Sequence, residues 1–309
     1  MKMTSRRSHY ALQLVGVVYL LVIIVLWCDN SSRRSLVFNT KGDSRVKPLY
    51  FSTQTLIMVP GHGVLNALNA SDWRKEENWG VEPHQRREGV LLPYCFASHI
   101  RRGLEILKNN LNSSLLIFSG GQTRAGTGPR SEALSYYLVA EETELFGLFG
   151  SRAEQKKVLE KRVFAEEFAR DSYENLLFSI ARFYEVTGRF PDKIIVVGWK
   201  HKKERFTKYH RRALRFPGER FVYVGLDFED AGRFVDDVKP YLRASPYSDA
   251  IALSFVREDM YLCSAGGTTR TQRNPLFRSA PYEVSSPPLR FLLRHCGPRL
   301  IDGRLVPWG

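Results

Sequence analysis

The chain has 309 residues, with 46 Lys and Arg against 32 Asp and Glu, a formal net charge of +14, and 43% hydrophobic residues. The positive charge is spread over the whole length rather than gathered in one block, and it points to anionic partners. Four cysteines and seven histidines show no zinc-ligand spacing, so no metal site is expected.

Lys2, Arg6 and Arg7 precede an uncharged run from Ala11 to Trp27. As a helix this run covers roughly 26 Å, just short of a bilayer core. The flanking charge favours a cytosolic N-terminus and translocation of the remainder. The alternative is a cleaved secretory signal, but the apolar run is long and no small-x-small site follows Trp27. The expected organisation is a cytosolic tail over 1–10, a transmembrane signal-anchor over 11–28 and a polar, basic stalk over 29–52. A single-pass membrane protein follows, with its domain lumenal or extracellular. Asn30, Asn69 and Asn112 head Asn-x-Ser/Thr sequons, which agrees with that side of the membrane. A lumenal site makes nucleic acid an unexpected partner; the membrane surface and anionic small molecules, lipid- or glycan-linked among them, fit better. Beyond Cys28 the odd number of cysteines leaves at least one unpaired, and Cys263 with Cys296 can form a bridge.

From Thr55 short apolar runs alternate with helical periods. The first strand is Thr55–Val59, ending in Pro60-Gly61-His62-Gly63, and a long excursion to Leu92 follows. A helix over 93–109 presents Phe96, Ile100, Leu104 and Leu107. The second strand, Leu115–Phe118, runs into Ser119-Gly120-Gly121. Ser131 can cap a helix carrying Leu134, Tyr137 and Leu138 toward the core. A third strand covers Arg162–Phe164, and Asp171 or Ser172 opens a helix through Leu176, Leu177, Ile180 and Phe183. Lys193–Val197 is the clearest buried strand; a basic helix over 202–214 leads to the fifth, Phe221–Val224. Five strands with intervening helices predict a Rossmann-like three-layer α/β/α sandwich with a mainly parallel sheet over 53–230. The remainder, 231–309, reads as an extension that packs on the domain or is partly disordered.

The unusual polar clusters all follow strand carboxyl ends, where open parallel sheets bind ligands. Gly61, His62 and Gly63 come after the first strand. Ser119, Gly120 and Gly121 come after the second, and a glycine pair can expose backbone donors to an anion. Ser131 and Glu132 can cap and complement a helix start. The stretch 166–175 comes after the third strand; there Asp171, Glu174 and Asn175 supply more polar groups in one turn than capping needs, and Ser172 joins them as a binding candidate. Lys200 to Arg205 opens a helix with positive charge, which the macrodipole disfavours unless an anion compensates. Lys202, Lys203, Lys208, Arg211, Arg212 and Arg215 read as solvated. His201 and Arg205 share one helical face at i and i+4.

These marks together resemble the family catalogued as domain of unknown function 218, which includes the bacterial SanA, ElyC and YdcF-like proteins. The resemblance spans about Thr55 to Asp227. It rests on Val59-Pro60-Gly61-His62-Gly63, on Ser119-Gly120-Gly121 with Ser131-Glu132-Ala133, on Asp171-Ser172-Tyr173-Glu174-Asn175, and on Val196-Val197 with His201 and Arg205. Asp171 and Ser172 stand where the family has Asn and Thr, and Lys202 takes its His-x-x-Arg spacing. The resemblance implies a Rossmann-like fold and a membrane-anchored domain outside the cytosol, without fixing a reaction. Two readings follow. In the first, Ser119, Gly120, Gly121 and Arg205 hold a phosphorylated or other anionic substrate while Glu132, Glu174 and His201, or His62, move protons. In the second, the same cleft is a non-catalytic binding or membrane-surface module. No Gly-x-Ser-x-Gly elbow is present, and no cofactor is assigned.

Overall fold

Five of the apolar runs form one sheet. The strands are β1 (Thr55–Pro60), β2 (Val64–Leu65), β3 (Trp79–Gly80), β4 (Ser114–Ser119), β5 (Val163–Glu166), β6 (Lys193–Trp199) and β7 (Phe221–Leu226). Every pairing in the larger sheet is parallel and its order is β5-β4-β1-β6-β7. β2 and β3 make a separate antiparallel hairpin inside the long excursion after β1. The computed structural model describes residues 50, 52–86, 91–231, 248–263 and 265–308. The expected tail, the signal-anchor at 11–28, almost all of the stalk and Asn30 lie outside the described residues. Among the described residues no helix is long and apolar enough to cross a membrane.

The three central strands are buried on both faces, which is why they read as continuous apolar runs. Alternate residues sort to opposite sides. Ile57, Val59, Leu116, Phe118, Ile195 and Val197 meet α1 (Leu92–Asn109), α2 (Glu132–Glu142) and α3 (Arg152–Arg162). Leu56, Met58, Leu115, Ile117, Ile194 and Val196 meet α4 (Ser172–Thr187). Gly188, at φ +70°, closes α4 by donating its N–H to the Tyr184 carbonyl. The expected three-layer sandwich is therefore formed.

Two details depart from or sharpen the sequence expectation. In α2 the buried stripe is Ala133, Tyr136, Val139 and Ala140, while Leu134, Tyr137 and Leu138 are half-buried. The cause is Tyr136, whose ring sits among Trp79, Phe96 and Phe118 at centroid distances of 6.4, 5.9 and 6.1 Å. The β2–β3 hairpin supplies that Trp, and it turns the helix. The second concerns the extension after residue 230, whose described residues pack on the domain, one of its two expected forms, as part of the same core. Beyond α5 (Arg211–Ala213) and α6 (Phe228–Ala231) come α7 (Ala250–Glu258), α8 (Ala265–Gln272), α9 (Tyr282–Ser285) and α10 (Arg290–Arg294). Val256, Tyr261, Tyr282, Leu289, Leu292, Ile301 and Trp308 enter the same core as α4, so one compact unit covers Lys47–Gly309. Cys263 and Cys296 are disulfide-bonded across 33 residues of chain, and Cys95 is a buried free thiol.

Candidate functional site

The chain leaves β1 on one side through β4 and β5, then returns to the other side through β6 and β7. The sheet thus reverses at β1, and the carboxyl ends of β1 and β6 flank the crevice where such folds bind ligands. Gly61 follows β1 and donates its N–H to the Ser119 carbonyl at 2.7 Å. A side chain at Gly61 would place its Cβ 2.4 Å from the Cβ of Glu132, so the turn and the start of α2 touch only because this residue is Gly.

His62 faces the crevice and is 7% exposed. Its Nδ1 lies 3.3 Å from Lys202 Nζ. An ammonium can only donate, so Nδ1 accepts and the imidazole proton sits on Nε2, a buried atom with no partner among the described residues. Burial first, and the Lys202 charge second, hold His62 well below the usual imidazole range. Its ring packs among Phe96, His99 and Trp199. His99 is fully buried on α1 with neither ring nitrogen partnered among the described residues, and burial pushes it down to about 3.

After β6 the backbone makes a 3₁₀ turn at Lys200–Lys202 and a π-helical turn at Arg205–His210 that continues into α5. This winding separates the two residues expected to share a face. His201 stacks on Trp199 at 5.9 Å and is pushed down to about 3 by burial and then by Lys202. Arg205 instead forms a two-pronged ion pair with Asp249, through Nε to Oδ2 at 3.0 Å and Nη2 to Oδ1, and donates to Ser172 Oγ at 3.2 Å. Lys202, expected in solvent, is half-buried against His62, while Lys203 and Lys208 are exposed as expected. Burial, followed by the charge of Arg205, pushes the Lys202 ammonium down to about 7. Among the described residues it forms an ion pair with no carboxylate.

The Ser-Gly-Gly turn does something other than cradle an anion. Gly120 donates its N–H to the Glu166 carbonyl at 2.9 Å and Gly121 to the Ala169 carbonyl at 2.7 Å. Both donors are therefore spent within the fold. Gly120 also sits at φ +153°, with Glu132 Oε2 2.7 Å from where a Cβ would stand. Ser119 Oγ donates to Glu166 Oε2 and accepts from Asn175 Nδ2. Glu166 further accepts from the Phe168 N–H and the Tyr282 hydroxyl, and burial raises its carboxyl to about 7.

The helix starts are also occupied. Ser131 caps α2 at the Leu134 N–H and donates to Glu167. Glu132 accepts from Thr123 Oγ1 at 2.6 Å and lies 3.8 Å from Arg124. Asp171 caps α4 through the Glu174 N–H, while its other oxygen receives Arg270 Nε at 2.6 Å. Glu174 receives the backbone and guanidinium of Arg170 and lies 3.2 Å from Arg270. Burial raises the Glu174 carboxyl, against the opposing bonds from Arg170. With both oxygens bound to guanidinium, Glu174 is a structural partner rather than an open base. Gly63 fits tightly, its Cβ position 2.8 Å from Val81.

The sequence candidates thus gather at one end of the sheet, joined by Lys202, His99, Glu166, Arg170, Asp249, Arg270 and Tyr282. Glu166 and Arg170 fall in the polar stretch 166–175 after the third strand, and Lys202 carried a signal through the family spacing; the other four were not legible in the sequence. Among the described residues no three His, Cys, Asp or Glu side chains are grouped to hold a metal ion.

No family model matches the chain, and no solved structure matches it. The chain is similar to the uncharacterized protein YOR238W of Saccharomyces cerevisiae, 28% identical over 268 residues, covering 74% of this chain and 86% of that protein.

Proposed function

We propose that the protein is a membrane-anchored member of the domain of unknown function 218 group, whose switch-point crevice binds a phosphorylated or otherwise anionic small molecule outside the cytosol. The observation that carries this reading is the Lys202–His62 pair, in which, among the described residues, a half-buried ammonium without a carboxylate meets a buried imidazole whose remaining N–H has no acceptor. Unspent donors in a low-dielectric crevice suit an anionic ligand, which would neutralise the ammonium and accept the N–H. The surrounding arginines are neutralised by Asp171, Glu174 and Asp249, so the unpaired charge is concentrated at one place. If the site is catalytic, Lys202 and His62 exchange protons with the bound group, because an ammonium titrating near neutrality serves as either acid or base. Mass spectrometry of small molecules retained by the purified protein tests the reading. A phosphorylated or carboxylated compound lost on Lys202→Met supports it, and retention of neutral compounds alone would overturn it.

A second reading, binding without catalysis, is favoured by the engagement of Glu174 and Ser119 in fixed internal bonds. Retention of the anion, chemically unchanged, by Lys202→Arg but not by Lys202→Met would support this reading, and conversion of the bound compound by the wild type would overturn it. The non-cytosolic location draws support from the Cys263–Cys296 bridge, which suits an oxidising compartment. Asn69 and Asn112 are both exposed, the latter between α1 and β4. Glycosidase treatment of the protein from eukaryotic membranes is expected to increase its mobility, with a smaller shift for Asn112→Gln. An unchanged mobility for the wild type would count against the topology.

A further inference from the structure

A cleft of about 610 Å³ lies beside the crevice, with Glu77, Glu82, Thr123, Arg124, Gln272 and Arg273 among its lining residues. The volume suits a small-molecule site, but such sites are usually walled by apolar side chains. This wall is polar and charge-balanced. Arg124 lies 2.9 Å from Glu82, Arg273 lies 3.6 Å from the same carboxylate, and Glu77 adds a second. Two guanidinium groups against two carboxylates leave no net charge for an anion. They leave hydrogen bonding in both directions, with carboxylates to accept, guanidinium groups to donate, and hydroxyl and amide groups that do both.

A neutral ligand whose groups each donate and accept matches that wall, which describes a ring bearing hydroxyls. A nucleobase matches poorly, because Trp79, the aromatic residue in the lining, is 1% exposed and spends its indole N–H on the Trp73 carbonyl. The cleft also adjoins the anion site. Thr123 binds Glu132, Glu132 backs on the Gly61 and Gly120 turns, and Lys202 senses the charges of Arg273 and Glu132.

We infer that the cleft is a sugar subsite, and that the complete site takes a glycosyl phosphate, with a hexose or N-acetylhexosamine ring in the cleft and its phosphate at Lys202. The sugar assignment is independent of the anion reading, while the composite ligand rests on both. The test is calorimetric titration of the whole protein with inorganic phosphate, with the glycosyl phosphates of glucose, mannose, galactose and N-acetylglucosamine, with the corresponding free sugars, and with adenosine monophosphate. At least one glycosyl phosphate is expected to bind about tenfold or more tighter than inorganic phosphate, and adenosine monophosphate no tighter than phosphate. Gly126 lines the cleft, and a Cβ there meets nothing within 4 Å. Gly126→Phe is therefore expected to fold, to fill the cleft and to abolish the sugar gain while phosphate affinity is unchanged. Four glycosyl phosphates no tighter than phosphate, or a gain that survives Gly126→Phe, would overturn the inference. Binding of free sugar without binding of phosphate would overturn the anion reading and leave the sugar subsite standing.

Discussion

Replacing Lys202 with methionine is expected to weaken phosphate binding by about 30-fold, or ~2 kcal/mol, while making the unliganded protein more stable. The two effects have one cause. An ammonium kept from water without a counter-charge costs folding free energy, and the same ammonium is what an incoming anion neutralises. Its ordinary value of 10.5 is depressed to about 7 in the folded chain. The penalty this group imposes on folding is therefore absent above about 10.5 and grows as pH falls toward 7, where it is complete. Thermal melts should show the wild type gaining on Lys202→Met as pH rises through that window, with the methionine variant ahead at neutral pH. A variant that loses stability at pH 7 would show that Lys202 has a partner in the fold and is no open anion site.

Arg270→Met is expected to cost about 3 kcal/mol of stability, read as a lowered denaturant midpoint. Arg270 reaches Asp171, Glu174 and the Tyr261 carbonyl together, and so fastens the segment after residue 248 to the start of α4. Removing it leaves two buried carboxylates with Arg170 alone. The folded Glu174 carboxyl already lies above its ordinary value of 4.5. Its burial therefore lowers stability as pH rises from that value through the folded one, and losing Arg270 raises the folded value further. The deficit of the variant should be largest at neutral pH and shrink in acid. Arg270→Lys keeps the charge without the fork, and is expected to fall between the two. An unchanged midpoint for Arg270→Met would mean that the C-terminal segment is held by its apolar contacts alone.

The sheet was legible because its central strands are buried on both faces and interrupted by glycine turns. All five strands of the parallel sheet lie where apolar runs place them, and Phe96, Ile100, Leu104 and Leu107 form the face of α1 that their spacing indicates. The β2–β3 hairpin escaped notice because two-residue strands have no period to detect, and its Trp79 then rotated α2 away from the expected face. The residues after 230 escaped for a different reason. Tyr261, Tyr282, Ile301 and Trp308 reach the core from turns and short helices, so their burial leaves no regular pattern. Without that segment Asp249 and Arg270 could not be seen to neutralise Arg205, Asp171 and Glu174. The glycine pair at 120 and 121 misled in the opposite sense. Its sequence suits an anion cradle, but its N–H groups bond to Glu166 and Ala169, which only the packing of β5 against β4 determines.

The central claim is that the switch-point crevice is an anion site built on Lys202, and calorimetric titration of inorganic phosphate across neutral pH tests it most directly. The wild type should bind phosphate with an affinity that falls about tenfold per pH unit above about 7, as the free ammonium loses its proton, and this dependence should vanish in Lys202→Met. No binding by the wild type, or equal and pH-independent binding by both proteins, would contradict the account.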